Sequence, residues 1–368
     1  MHFTCEKQQL KTGIDQAYKA VGSSANMPIL SHICLTVKGG CLELAGTDLN
    51  AGIVSKIDVA GIEDGSTAVP ADSFKKIIDS FDLGEIEIEH SPLSSLIISA
   101  KHSRYELPTL PSDEFPALEI PETRHTFSIK GKDLSYMLNS VKFAAADVGS
   151  TRPHMQSVYM DIRDGQIIMV STDGKRMARV MRPLEEELTN FSVIIPKTGV
   201  EKLLGIIAAD ETYRVDVCEK QVFFSNGSVM FNCSLIDAKY PDYTRFFAED
   251  KDKKRCIVDR AVLLKALKRV LLMAKEKVNL DLVEFEFGKD VLTLASQSAA
   301  VGSGLETVSI ENEGEPLGIS FNGSFIIEAL NALACEQLEI DLKTANSGIT
   351  LRPLDSKSYD YICMPLRR

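Results

Sequence analysis

The sequence predicts an α+β protein built from three copies of one unit, each a set of largely antiparallel strands with two helices. Three observations predict it. Strand-and-turn segments recur at an interval near 125 residues; runs of apolar alternation lie between them; and each copy holds two stretches with apolar residues at helical spacing.

Each copy opens with a short strand and a helix. The helices are expected over about Glu6 to Val21, Lys132 to Ala144 and Arg260 to Lys275, and in the first Leu10, Ile14, Ala17 and Val21 share one face. Next comes a strand ending in a small polar turn: Leu42 to Asp48, Ile168 to Asp173, and Leu292 to Gln297. Thr47 and Thr172 lie 125 residues apart, as do Thr172 and Gln297. A strand running into an amphipathic helix follows, in Ala68 to Ile78, Ile194 to Leu204 and Ile319 to Leu330. Phe74, Ile77 and Ile78 have helical spacing, and Asn322 or Ser324 can cap the third copy. Gly84 to Glu89 and Val283 to Phe287 alternate as half-buried strands do. Leu110 to Pro116 is matched by Leu235 to Pro241, again 125 apart, and each precedes a polar, linker-like stretch, Pro121 to Arg124 and Glu249 to Arg255. The expected domains are therefore 1–121, 122–250 and 251–368.

With 44% hydrophobic residues the chain can bury a sizeable core. No stretch approaches the roughly 18 apolar residues of a membrane span, and the N-terminus lacks a signal-peptide layout, so a cytoplasmic protein with no membrane association is expected. Eight cysteines form no Cys-x-x-Cys pair, and the six histidines form no metal spacing with them. Buried free thiols are expected, with no metal and no cofactor.

A net charge of -11 argues against gripping nucleic acid by affinity alone, since such grip needs Lys and Arg to displace counterions. Yet lysines recur on the helices: Lys7, Lys11 and Lys19; Lys130, Lys132 and Lys142; Lys265, Lys268, Arg269, Lys275 and Lys277; and, on the second helices, Lys75, Lys76, Lys197 and Lys202. Three like units form either a linear string or, if the rotation per unit closes, a ring alone or with a second chain. The period does not choose between them. Basic helices in an acidic chain fit a ring with a basic inner surface.

Six segments occur in order over the three repeats: Met27-Pro28-Ile29-Leu30-Ser31, Gly46-Thr47-Asp48-Leu49, Val69-Pro70-Ala71, Ser171-Thr172-Asp173-Gly174-Lys175-Arg176-Met177-Ala178, Tyr240-Pro241-Asp242-Tyr243 and Met364-Pro365-Leu366-Arg367. Through them the chain resembles the bacterial sliding clamp, the beta subunit of DNA polymerase III, over essentially its whole length. The resemblance implies three repeated DNA-clamp domains and a head-to-tail homodimeric ring whose helices line a hole for double-stranded DNA. A closed ring stays on DNA by topology and needs only weak, sequence-blind phosphate contacts. The implied DNA-facing residues are Lys11, Arg152, Lys197, Lys265 and Lys268.

The resemblance also implies a pocket between the second and third repeats that takes short linear motifs of the replicative polymerase, the clamp loader and repair proteins. Position by position it comprises Met155, Thr172, Gly174, Lys175, Arg176, Met177, Pro241, Arg245, Phe246, Ile362, Met364, Pro365, Leu366 and Arg367. Only the second copy of the polar turn continues Gly174-Lys175-Arg176-Met177. Closure of a hairpin accounts for Asp173-Gly174 but not for the two basic residues. The apolar end at Met364-Pro365-Leu366 is unusual for a terminus, and a flexible thioether suits varied partners.

Some family positions differ here. Ser23-Ser24-Ala25-Asn26 lacks the usual basic residue, Pro153 and His154 stand where paired aromatics are usual, and Ser298 to Gly304 replaces an acidic cluster. The subunit contact is accordingly expected to be apolar, Tyr105 and Leu107 against Leu272 and Met273. Two other function classes compete. An enzyme lacks a convergent nucleophile and base or a phosphate-binding glycine loop in this sequence, so no catalytic residue is expected. A monomeric peptide-binding scaffold differs from a clamp in having no DNA role.

Overall fold

The computed structural model describes residues 1–22, 25–91, 93–147, 149–248, 252–274, 281–299 and 301–366. The sequence-predicted Lys275, Lys277 and Arg367, and part of the 249–255 linker, lie outside the described residues.

Among the described residues each repeat contributes two helices: α1 (Lys7–Tyr18) and α2 (Ala71–Ser80), α3 (Gly131–Val141) and α4 (Lys197–Leu204), α5 (Arg260–Val270) and α6 (Gly323–Ala332). The opening helices are shorter than the sequence suggests: α1 ends at Tyr18, and α3 and α5 tighten into 3-10 turns at Lys142–Ala144 and Leu271–Met273. In α1, Leu10, Ile14 and Ala17 are buried as their spacing predicts. Asn322 caps α6, its side chain accepting from the Phe325 N–H at 3.2 Å, and Asp259 caps α5 in the same way from Val262 at 2.8 Å. No helix among the described residues is long and apolar enough to cross a membrane.

Packing divides the chain into two compact units, Met1–Ser135 with Thr198–Leu235, and Tyr136–Lys197 with Ile236–Arg368. Their outlines differ from those of the three repeats because sheets run through the repeat boundaries. In the first unit, an eight-stranded sheet joins repeat-one strands, such as Ala51–Asp58, to repeat-two strands, such as Val229–Ser234. The same unit holds a five-stranded sheet in the order Ala60–Glu63, His2–Glu6, Glu85–Ser91, Ser95–Ala100, Ser103–Pro108. Its core includes Phe3, Leu10, Ile14, Leu35, Phe74, Ile86, Ile88 and Ile98.

In the second unit a twelve-stranded sheet starts with the repeat-two strands Phe191–Pro196, Ser157–Arg163, Gln166–Thr172 and Arg176–Pro183. It continues through Tyr359–Cys363, Ile349–Pro353, Gln337–Leu342, Lys254–Asp259, Gly302–Asn312, Val291–Ser298 and Leu282–Phe287 to Leu317–Asn322. The junction of repeats is the antiparallel pair Arg176–Pro183 with Tyr359–Cys363, in which Arg176 faces Cys363 and Met177 faces Ile362. Six of the eight cysteines are buried, and Cys41 and Cys335 are half-buried.

Candidate functional site

The turn after Thr172 is built by side chains closing on backbone. Thr172 Oγ1 donates to the Arg176 carbonyl at 2.6 Å and accepts from the Gly174 N–H at 3.0 Å, while Asp173 Oδ1 accepts from the N–H groups of Lys175 and Arg176 at 2.8 and 3.0 Å. Gly174 takes φ +87°, which suits glycine. The first repeat reproduces the turn bond for bond with Thr47, Asp48, Leu49, Asn50 and Ala51, placing Leu49 at φ +73°. Hairpin closure thus explains Thr172, Asp173 and Gly174, as it does Thr47 and Asp48 in the first repeat. What distinguishes the second is the pair of side chains that follow.

Those two diverge sharply. Lys175 is exposed, whereas Arg176 is only 8% exposed. The Arg176 guanidinium donates to Asp173 at 3.1 Å, to Glu328 at 2.8 Å and to the Phe143 carbonyl at 2.8 Å, and stacks 4.1 Å from the Phe325 ring centroid. Burial opposes its charge, but Tyr361, Glu328 and Asp173 outweigh it and hold the proton more tightly than usual. Arg176 therefore ties the turn to α6 rather than standing free in solvent.

The C-terminal segment crosses beside the turn. Met364 donates its N–H to the Lys175 carbonyl at 2.9 Å, and Leu366 donates to the Ser320 carbonyl at 2.8 Å, so the backbone is pinned on both sides. Met364 is 46% exposed, and a Cβ on Gly348 would come within 2.9 Å of its sulfur, which places the thioether across that glycine. Met155 lies against Gly174, where an added Cβ would meet its terminal methyl at 3.6 Å. Met177 and Ile362 are buried together in a cluster with Ile168, Val170, Ile194, Tyr240 and Tyr243. Pro365 and Leu366 are half-buried.

Pro241 is half-buried, and Arg245 and Phe246 are exposed on the 3-10 turn Thr244–Phe247, with the Arg245 guanidinium 5.1 Å from the Phe246 ring centroid. The sequence reading did not single out Tyr159 and His154 as neighbours of Tyr240, or Gly348 as the support of Met364. Tyr159 and Tyr240 stack at 4.4 Å, and His154 meets Tyr240 edge-on at 6.5 Å. Burial raises the Tyr240 phenol, and burial with the Asp161 hydrogen bond raises that of Tyr243, so both stay neutral apolar walls. No local sequence signal marks these residues, because Tyr240 and Gly348 each lie far along the chain from the residues they meet and reach them only in the folded structure. The arrangement offers exposed apolar atoms flanked by fixed backbone, which suits binding of an apolar side chain of a peptide.

The residues expected to face DNA differ in their surroundings. Lys11 pairs with Asp15 at 3.2 Å and with Asp79, and Lys75 bridges the same two carboxylates. Lys197 pairs with Asp147 at 3.2 Å. Arg152, Lys265 and Lys268 are exposed. Of the expected subunit-contact residues, Tyr105 and Leu272 are 43% and 55% exposed, and Leu107 and Met273 are half-buried.

Comparison with known proteins gives a consistent result. Family models of the DNA polymerase III beta subunit match at the N-terminal domain over residues 1–119, the central domain over 128–242 and the C-terminal domain over 245–367. Among curated relatives, beta sliding clamps of Salmonella typhimurium and Escherichia coli K12 are each 28% identical over 370 residues, with 100% of both chains covered. Among solved structures, a sliding clamp (DNA polymerase III subunit beta) from Pseudomonas aeruginosa bound to griselimycin matches with a TM-score of 0.95 at 27% identity, over 100% of both chains. A sliding clamp from Bacillus subtilis matches at 0.94 with 26% identity, covering 100% of this chain and 99% of that one.

Proposed function

Because the chain belongs to the family of the DNA polymerase III beta subunit, the bacterial sliding clamps, we propose that it encircles duplex DNA and tethers the replicative polymerase to it. It is a processivity factor and not an enzyme. The observation that carries this reading is the match of all three beta-subunit domains, in order and over nearly the whole chain. Domains 1–121, 122–250 and 251–368 then supply three of six similar modules, two chains completing a ring that holds DNA by topology.

A head-to-tail dimer is favoured by two open strand edges. Ser103–Pro108 is the end strand of its sheet, and Gly302–Ser309 pairs on one side only among the described residues, with Val291–Ser298. Strand addition between them, with Tyr105 and Leu107 packing on Leu272 and Met273, would join two copies. Bacterial DNA lies in the cytoplasm, which is the proposed location.

The pocket reading assigns Met155, Thr172, Gly174, Met177, Pro241, Phe246, Ile362, Met364, Pro365 and Leu366 to the walls that receive an apolar residue of a partner's linear motif. Polymerase, clamp loader and repair proteins would compete for it. Arg152, Lys265 and Lys268, with the ion-paired Lys11 and Lys197, are assigned to the DNA-facing side.

Loading the protein onto nicked circular DNA tests the function. Protein retained on the circle and released when it is linearised is topologically held. Equal loss from circle and linear DNA would defeat the proposal.

A further inference from the structure

The helices that open the three repeats carry different charge. α1 holds Lys7, Lys11 and Asp15, and α3 holds Lys132 and Asp133. α5 holds Arg260, Lys265, Lys268 and Arg269 with no acidic residue. Two of these four charges are engaged: Arg260 donates to the carbonyls of Cys335 and Leu330, and Arg269 forms a two-point pair with Glu306 at 2.7 and 2.6 Å. Lys265 and Lys268 are exposed and make no ion pair or hydrogen bond among the described residues. They are three positions apart, so their ammonium groups project from one helix face, opposite the buried Leu263, Ala266, Leu267 and Val270.

The first repeat is the counterexample. Lys11, Asp15, Lys75 and Asp79 form a closed lattice in which each lysine meets both carboxylates. A lysine held this way gains little from a phosphate, because taking one strands a carboxylate that must recruit a cation back from solution. The favourable counterion release that drives phosphate binding is then largely cancelled. A free lysine pair has no such cost. Duplex DNA carries about one charge per 1.7 Å of axis, so two ammonium groups a helical turn apart meet phosphates at any position along it, without reading sequence.

We propose that, between the first and third repeats, the phosphate contact falls on α5, through Lys265 and Lys268, while the Lys11–Asp15–Lys75–Asp79 lattice presents an electrically balanced surface to DNA. The inference rests on the clamp reading, and its test separates the two. Binding of the full-length protein to a short fluorescent duplex is measured between about 50 and 200 mM salt for the wild type, K265A/K268A, K265Q/K268Q and K11A/K75A. Loss of two phosphate contacts should lower the slope of log K against log salt by about 1.8 in both α5 doubles, and by less than about 0.5 in K11A/K75A. Equal slopes in all the doubles, or the larger drop in K11A/K75A, overturns the inference while leaving the clamp reading intact. Wild-type protein that is not retained on circular DNA overturns both.

Discussion

Met364 donates its backbone N–H to the carbonyl of Lys175 at 2.9 Å, and the same bond, at 2.8 Å, joins Ser234 to Asn50 one repeat earlier. The two junctions share a backbone frame and differ in what projects from it. Met364, Arg176 and Met177 stand where the earlier junction has Ser234, Ala51 and Gly52. Side chains, not the backbone frame, are thus what distinguishes the later junction.

Met364→Ala is expected to weaken binding of a polymerase C-terminal peptide about tenfold, since a half-exposed thioether that becomes buried is worth on the order of 1–2 kcal/mol. Fluorescence anisotropy with a labelled peptide checks this, and an unchanged Kd in the variant removes Met364 from the pocket.

Arg176→Ala should weaken the same peptide without altering oligomeric state, and should also lower stability by about 2–3 kcal/mol. It leaves Asp173, Glu328 and the Phe143 carbonyl without their shared donor. Arg176→Lys should rescue little of this, because an ammonium cannot make the same planar fork. Urea denaturation and sedimentation velocity measure the two effects.

Leu49 adopts φ +73° at the place where Gly174 adopts +87°. A side chain there costs roughly 1–2 kcal/mol, so Leu49→Gly should hold or raise the melting temperature despite the greater freedom of its unfolded chain. Gly174→Ala should lower it. A marked loss of stability in Leu49→Gly would show that the exposed leucine makes contacts that outweigh its strain.

Tyr105→Ala combined with Leu272→Ala should shift the protein from dimer to monomer at concentrations where the wild type is dimeric. Sedimentation at several concentrations reads this out, and an unshifted profile rejects the apolar subunit contact.

Burial pushes the thiols of Cys5, Cys233, Cys256 and Cys363 up to about 12 from an ordinary value of 9.0. Above that ordinary value the unfolded thiols lose protons that the folded ones keep, so the unfolded state is favoured as pH rises. The stability these groups contribute is complete below about pH 9 and declines toward pH 12, by about 1.4 kcal/mol per pH unit for each thiol. Urea midpoints at pH 8 and pH 10 should fall in that order, and native Cys363 should resist alkylation at both.

The sequence by itself determined the repeat, the two helices per copy and the strand-into-helix landmarks. These follow from local periodicity and capping, as at Leu10, Ile14 and Asn322, and local chemistry is written in neighbouring residues. Only the tertiary structure decided that sheets pass through the repeat boundaries, that Arg176 turns inward to Glu328, and that Lys11 is neutralised while Lys265 is not. Each of these depends on residues distant in the chain, Asp79 for Lys11 and Glu328 for Arg176, brought together by strand register and helix packing. No local pattern specifies such pairings, because their energy exists only once both partners are in place.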